Sequence, residues 1–103
     1  MIIHDFWLSE GGLDATEVKV EIGSSKNINC SVTGKPPPNV QWSRLTDGNY
    51  RKLNNASKGH SLLEFDHFLE SDAGKYICIA SYLDVETSWT ISVKVDYGKL
   101  LIL

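Results

Sequence analysis

The sequence predicts an all-β fold, and three observations carry that reading. Apolar residues alternate with polar ones at Val18, Val20 and Ile22, at Ile28, Cys30 and Val32, and at Trp89, Ile91, Val93 and Val95. A period of two is the pattern of a strand with one buried face. Turn-forming clusters, Gly23-Ser24-Ser25 and Thr46-Asp47-Gly48-Asn49, punctuate the chain;. The third observation is the run Asp72-Ala73-Gly74-Lys75-Tyr76-Ile77-Cys78, whose cysteine follows Cys30 by 48 positions, with Trp42 standing 12 after Cys30. At 103 residues the chain has room for one domain and too little for two;. The expected layout is a single domain over 1–103, with a core at 18–95 and apolar tails at 1–9 and 99–103.

Cys30, Trp42 and the Asp-x-Gly-x-Tyr-x-Cys run together resemble the immunoglobulin superfamily;. Gly34, Pro36, Pro38 and Trp42 are similar to the Gly-x-Pro-x-Pro-x-x-x-Trp pattern of its intermediate, or I-set, class. The resemblance implies a Greek-key β-sandwich of two antiparallel sheets, bridged by a Cys30–Cys78 disulfide on which Trp42 packs. Such a bridge would stabilise the fold by roughly 4 kcal/mol in the chain-entropy model. Tyr76 and Cys78 are two apart, so they share a strand face. The Tyr76 hydroxyl is expected to turn back to the chain just upstream, as a tyrosine corner. Gly74 suits a tight corner, and Asp72 has a short acceptor for backbone N–H groups in the turn. In relatives an Asp here pairs with a basic residue near the start of strand D, for which Lys52 and Lys58 are both candidates. All of these roles are structural.

The elements follow in order. Residues 1–9 hold Ile2, Ile3, Phe6, Trp7 and Leu8, read as a first strand on a sheet edge. Gly11-Gly12 breaks the pattern, so Ser9 to Thr16 reads as a loop. Val18 to Ile22 is a half-buried strand. A strand through Ile28, Cys30 and Val32 follows, its start frayed or solvated at Lys26. Gly34-Lys35-Pro36-Pro37-Pro38 is a rigid loop, because proline cannot donate to a ladder. Val40 and Trp42 share a face on the next strand. Tyr50 to Leu53 is a short strand beyond the Asp47-Gly48 turn. The interval after it is too short for the extra hairpin of variable-type domains, and Asn54 to His60 is polar and loop-like. Leu63, Phe65 and Phe68 match the apolar positions of strand E and its exit in I-set relatives. Strand F carries Tyr76, Cys78 and Ala80. Leu83-Asp84-Val85-Glu86 is the next hairpin, without the glycine that relatives place there. Trp89 to Val95 forms a long last strand.

Composition excludes several classes of function. Hydrophobic content is 42% and net charge is −3, with no basic run, so neither disorder nor a nucleic-acid or anionic-membrane partner is suggested;. No apolar run approaches the ~20 residues of a membrane span. The N-terminus lacks the pattern of a secretory signal, and the chain reads as a domain cut from a longer protein. His4, His60 and His67 have no metal-ligand spacing to each other or to a cysteine;. Asp66-His67 with nearby Ser71 is a tempting dyad, but the turn of a sandwich offers no concave pocket or oxyanion donors. No phosphate loop or calcium loop is present, so no enzyme activity, cofactor or metal is expected.

The expected function is that of a protein-recognition or adhesion module of a larger cell-surface receptor, adhesion or matrix protein, as the resemblance implies. The alternative it implies is a spacer in an intracellular titin-like filament protein, with reduced cysteines. Tyr82, Leu83 and Trp89 are the candidate partner-binding residues, because Tyr and Trp are common interface anchors. Trp89 also has a structural reading, as core filler. Asn55-Ala56-Ser57 and Asn29-Cys30-Ser31 are N-glycosylation acceptor patterns;. Asn55 lies in a polar loop, whereas Asn29 stands beside a bridged cysteine. Partners are expected to be proteins or neighbouring domains. The apolar tails and edge strands are candidates for a homodimer contact by strand addition.

Overall fold

A computed structural model describes residues 8–12 and 16–98 of the chain. The strands are β1 (Leu8–Gly12), β2 (Glu17–Val20), β3 (Lys26–Gly34), β4 (Asn39–Thr46), β5 (Asn49–Lys52), β6 (Ser57–Lys58), β7 (His60–Phe65), β8 (Gly74–Tyr82) and β9 (Val85–Val95). A single 3₁₀ turn, Glu70–Asp72, precedes β8. The strands make two sheets, one of order β1-β3-β7 and one of order β2-β9-β8-β4-β5, with β6 also paired to β4. All pairings are antiparallel except β2 with β9, which run parallel from Glu17↔Ser92 to Val20↔Val95. The chain thus enters along one sheet and crosses to the far edge of the other before β3 begins. This is the immunoglobulin-like Greek-key sandwich that the family resemblance implies;.

The inward faces follow the period-two pattern. Val32, Val40, Trp42, Phe68, Tyr76, Ile91 and Val93 are buried and pack with Cys30 and Cys78 in one cluster. Phe65 meets Phe68 and Tyr76 edge-on, with ring centroids 5.2 and 5.6 Å away. Such T-shaped pairs place a positive ring edge on a negative face. The disulfide forms between β3 and β8, and so ties one sheet to the other. Trp42 is fully buried, and its indole N–H donates to the Ser61 carbonyl at 2.9 Å.

Three expectations are corrected. Ser9 to Gly12 is not loop but the greater part of β1, pairing Gly11 with Val32 and Gly12 with Ser31. Glycines carry no side-chain signal for a periodic reading, yet their backbones still pair. The register slips by one residue between Leu8 and Gly11, a bulge of the kind glycine accommodates;. The strand at Val18 stops at Val20, and Ile22 is 51% exposed, because the turn at Gly23 (φ 88) bends the chain away. The polar stretch after Leu53 contains β6, and His60 already belongs to β7. Lys26 is solvent-exposed as expected but fully paired, opposite Phe65. The apolar runs at 1–7 and 99–103 lie outside the described residues.

Candidate functional site

The corner before β8 is built by Tyr76, Asp72, Gly74 and one residue that no motif marks, Arg44. The Tyr76 hydroxyl donates to the Asp72 carbonyl at 2.5 Å. The Asp72 carboxylate accepts the Leu69 N–H at 2.8 Å, closing the 3₁₀ turn. Arg44, from β4, reaches beneath this turn and donates to the carbonyls of Ser71 and Ala73 at 3.0 and 2.8 Å. Its guanidinium carbon stands 5.2 Å from the Tyr76 ring centroid, a cation–π contact;. Gly74 holds φ 154, a backbone conformation that side chains rarely adopt, and a Cβ there would also meet Arg44 Nη2 at 3.0 Å;. Burial pushes the Tyr76 phenol above its ordinary pKa. The Arg44 charge opposes that rise, and the Asp72 charge adds to it;.

Lys52 and Lys58 are not the partners of Asp72. Lys52 pairs with Ser43, on the outer face of the sheet, and Lys58 pairs with Asn39 at the opposite end of β4. The basic residues that share a groove with Asp72 are Arg44 and Arg51, which face each other in the β4–β5 register. A one-residue difference in strand register decides between Arg51 and Lys52.

The β8–β9 hairpin has a two-residue tip. Tyr82 pairs with Val85, leaving Leu83 and Asp84 as the loop. Leu83 takes φ 56, the left-handed region, and is 68% exposed. Val85 beside it is half exposed. A branched apolar residue in this conformation is uncommon, since glycine adopts it without the clash of a Cβ. Trp89 stands apart from the tip. It pairs with Cys78, lies on the same face of β9 as buried Ile91 and Val93, and packs half-buried against the core. Asn55 is exposed. Asn29 is exposed as well, and its amide donates to Ser31 Oγ at 2.6 Å. Asp66 and His67 are exposed on the turn after β7, and no cluster of metal-ligating side chains occurs among the described residues.

Asn54 was unmarked by any sequence pattern. Its Oδ1 accepts from the Trp42 N–H and from Ser61 Oγ, both at 3.3 Å, and its Nδ2 donates to the Leu62 carbonyl at 3.0 Å. Its own carbonyl accepts from Gln41 Nε2 at 2.5 Å. One polar side chain thereby joins β4 of one sheet to β7 of the other.

Comparison with known proteins agrees with this geometry. A family model described as immunoglobulin domain matches residues 13–81, and the chain belongs to that family. Among curated relatives, the muscle M-line assembly protein unc-89 of Caenorhabditis elegans is 30% identical over 91 residues, covering 84% of this chain and 1% of that protein. Human hemicentin-1 is 37% identical over 79 residues, covering 71% of this chain and 1% of its own length. The chain thus spans about one hundredth of these relatives. The solved complex of titin M10 with an obscurin-like 1 Ig domain superposes with a TM-score of 0.61 at 28% identity, over 77% of this chain and 84% of that one. Relatives of both compartments, basement membrane and muscle M-line, are represented.

Proposed function

We infer that this chain is a non-enzymatic recognition module of a larger cell-surface, adhesion or matrix protein, and that it meets a protein partner through the β8–β9 tip. The observation that carries this reading is Leu83. It is a large apolar side chain, 68% exposed, held at φ 56 where glycine would be more stable. Strain of this kind persists where the side chain itself is needed. Val85 and Tyr82 extend the apolar tip. The Cys30–Cys78 bridge suits an oxidising compartment;. Exposure of Asn55 suits a glycan there, while Asn29, engaged with Ser31, is the weaker acceptor. The second reading, a spacer in a sarcomeric filament protein, draws on the likeness to unc-89 and to the titin complex.

Two measurements test this. Mass analysis of the native parent protein before and after enzymatic deglycosylation reads Asn55. A glycan there excludes the cytoplasmic spacer, and an unmodified Asn55 with free thiols at Cys30 and Cys78 excludes the extracellular module. A multimerised form of the chain is then applied to intact cells. Binding at least tenfold weaker for Leu83→Asp, with an unchanged melting temperature, is the expected result. Equal binding by both forms would remove the tip from the interface.

A further inference from the structure

The three-stranded sheet ends at β7, and nothing among the described residues pairs with the outer edge of that strand. Which backbone groups face outward follows from the register. The Val32 N–H donates to the Gly59 carbonyl at 2.9 Å, and Cys30↔Ser61 and Ile28↔Leu63 continue the same register. Antiparallel pairs alternate between bonded and non-bonded, so Ser61, Leu63 and Phe65 bond to β3 while His60, Leu62 and Glu64 point away. Two of the outward carbonyls are capped by side chains: Ser57 Oγ donates to His60, and Asn54 Nδ2 donates to Leu62 at 3.0 Å. No side chain among the described residues caps the Leu62 N–H or either backbone group of Glu64.

This uncapped half of the edge opens on a groove of about 290 Å³ lined by Arg44, Arg51, Leu53, Leu62, Glu64 and Asp72, among others. The charges in it are unequally engaged. Arg44 is committed to the Ser71 and Ala73 carbonyls, and the Asp72 carboxylate to the Leu69 N–H. Arg51 is exposed and forms no ion pair with any described residue, nor does Glu64. The groove therefore offers backbone donors and an acceptor along one wall, with an uncommitted cation on β5 and an uncommitted anion on the edge strand.

We propose that this groove binds an extended peptide segment, which adds to the free edge of β7 and sets a carboxylate against Arg51. Strand addition uses the uncapped groups of Leu62 and Glu64 for main-chain hydrogen bonds, and alternate side chains enter the groove. Charge complementarity fixes the polarity: an acidic residue faces Arg51 and a basic one faces Glu64. The surface is separate from the β8–β9 tip, so its failure or success leaves the Leu83 reading untouched.

The test is a titration of the ¹⁵N-labelled full chain with the end-blocked peptide Thr-Val-Glu-Val-Lys-Thr. The Leu62 and Glu64 amides shift, and their hydrogen exchange, fast in the free chain, slows at least tenfold at saturation. Arg51→Gln weakens binding about tenfold or more, the size of a lost charge-assisted hydrogen bond. Changing the peptide's Glu to Gln weakens it likewise, and the two changes together cost no more than one. Arg51 is exposed, so the variant's unchanged melting temperature serves as control. Absence of shifts at millimolar peptide, shifts on β2 or β5 instead, or indifference to Arg51→Gln would each overturn the proposal. Slow Leu62 and Glu64 exchange without peptide, together with a dimer in sedimentation, would overturn it too, because a second copy would then occupy the edge.

Discussion

Tyr76 shows how one side chain serves both core and turn. Its ring is 2% exposed, edge-on to Phe65 and under Arg44, while its hydroxyl holds the Asp72 carbonyl. Tyr76→Phe keeps the ring and removes only the hydroxyl, leaving a carbonyl without its donor. The expected loss is about 1–2 kcal/mol in chemical denaturation at neutral pH. The pH dependence has a definite sign. The folded pKa of Tyr76 is raised, by burial first, so its contribution is complete below the unfolded value near 10;. It is lost as pH rises through the folded value. Tyr76→Phe therefore flattens the alkaline decline of stability above pH ~10 relative to the parent chain, and parallel declines would contradict the burial argument. Tyr76, Cys78, Gly74 and Asp72 were all legible because their spacing is a motif. Arg44 and Asn54 were not, since a single polar residue carries no period and its worth depends on chain segments far away in sequence. Trp89 was legible as large and apolar, but which way it faced required the register.

Among the elements, β7 is held in an unusual way, since side chains rather than a neighbouring strand satisfy part of its outer edge. Asn54→Ala removes the acceptor of the Trp42 N–H and the donor to the Leu62 carbonyl together. We expect a cost of about 1–3 kcal/mol, in the range for partly buried polar groups left without partners. A sharper readout is local: the Trp42 amide should exchange faster in the variant by a larger factor than its neighbours Gln41 and Ser43. Uniform acceleration would mean only a global loss. The strands with apolar alternation, β2, β3, β4, β7, β8 and β9, were readable from the sequence. β1 was hidden by its glycines, and β6 by its length of two residues and its wholly polar composition. The Leu83 tip was located correctly at the hairpin, although its left-handed backbone could not be read from a sequence that lacks the expected glycine.

At the scale of the whole molecule, the two sheets are joined covalently at one place, Cys30–Cys78, across a core of aromatic and branched residues. The bridge spans 48 residues, so opening it frees a long loop in the unfolded chain. The chain-entropy model puts this at about 4 kcal/mol. A domain of this size commonly has ~5–15 kcal/mol in all, so the reduced chain should keep only about 1–11 kcal/mol. Guanidinium denaturation with and without reductant should show a drop of about that size. It should also show a steeper dependence on denaturant when reduced, since the unlinked chain exposes more surface. The outcome bears on where the protein works. A reduced form that loses less than ~1 kcal/mol has a sandwich held by packing and by the β2–β9 closure alone, and such a bead is fit for a reducing cytoplasm. A reduced form that unfolds at 37 °C belongs in the oxidising setting of a receptor, adhesion or matrix protein, and there Asn55 as a glycan acceptor and the exposed Leu83 tip become the features to pursue.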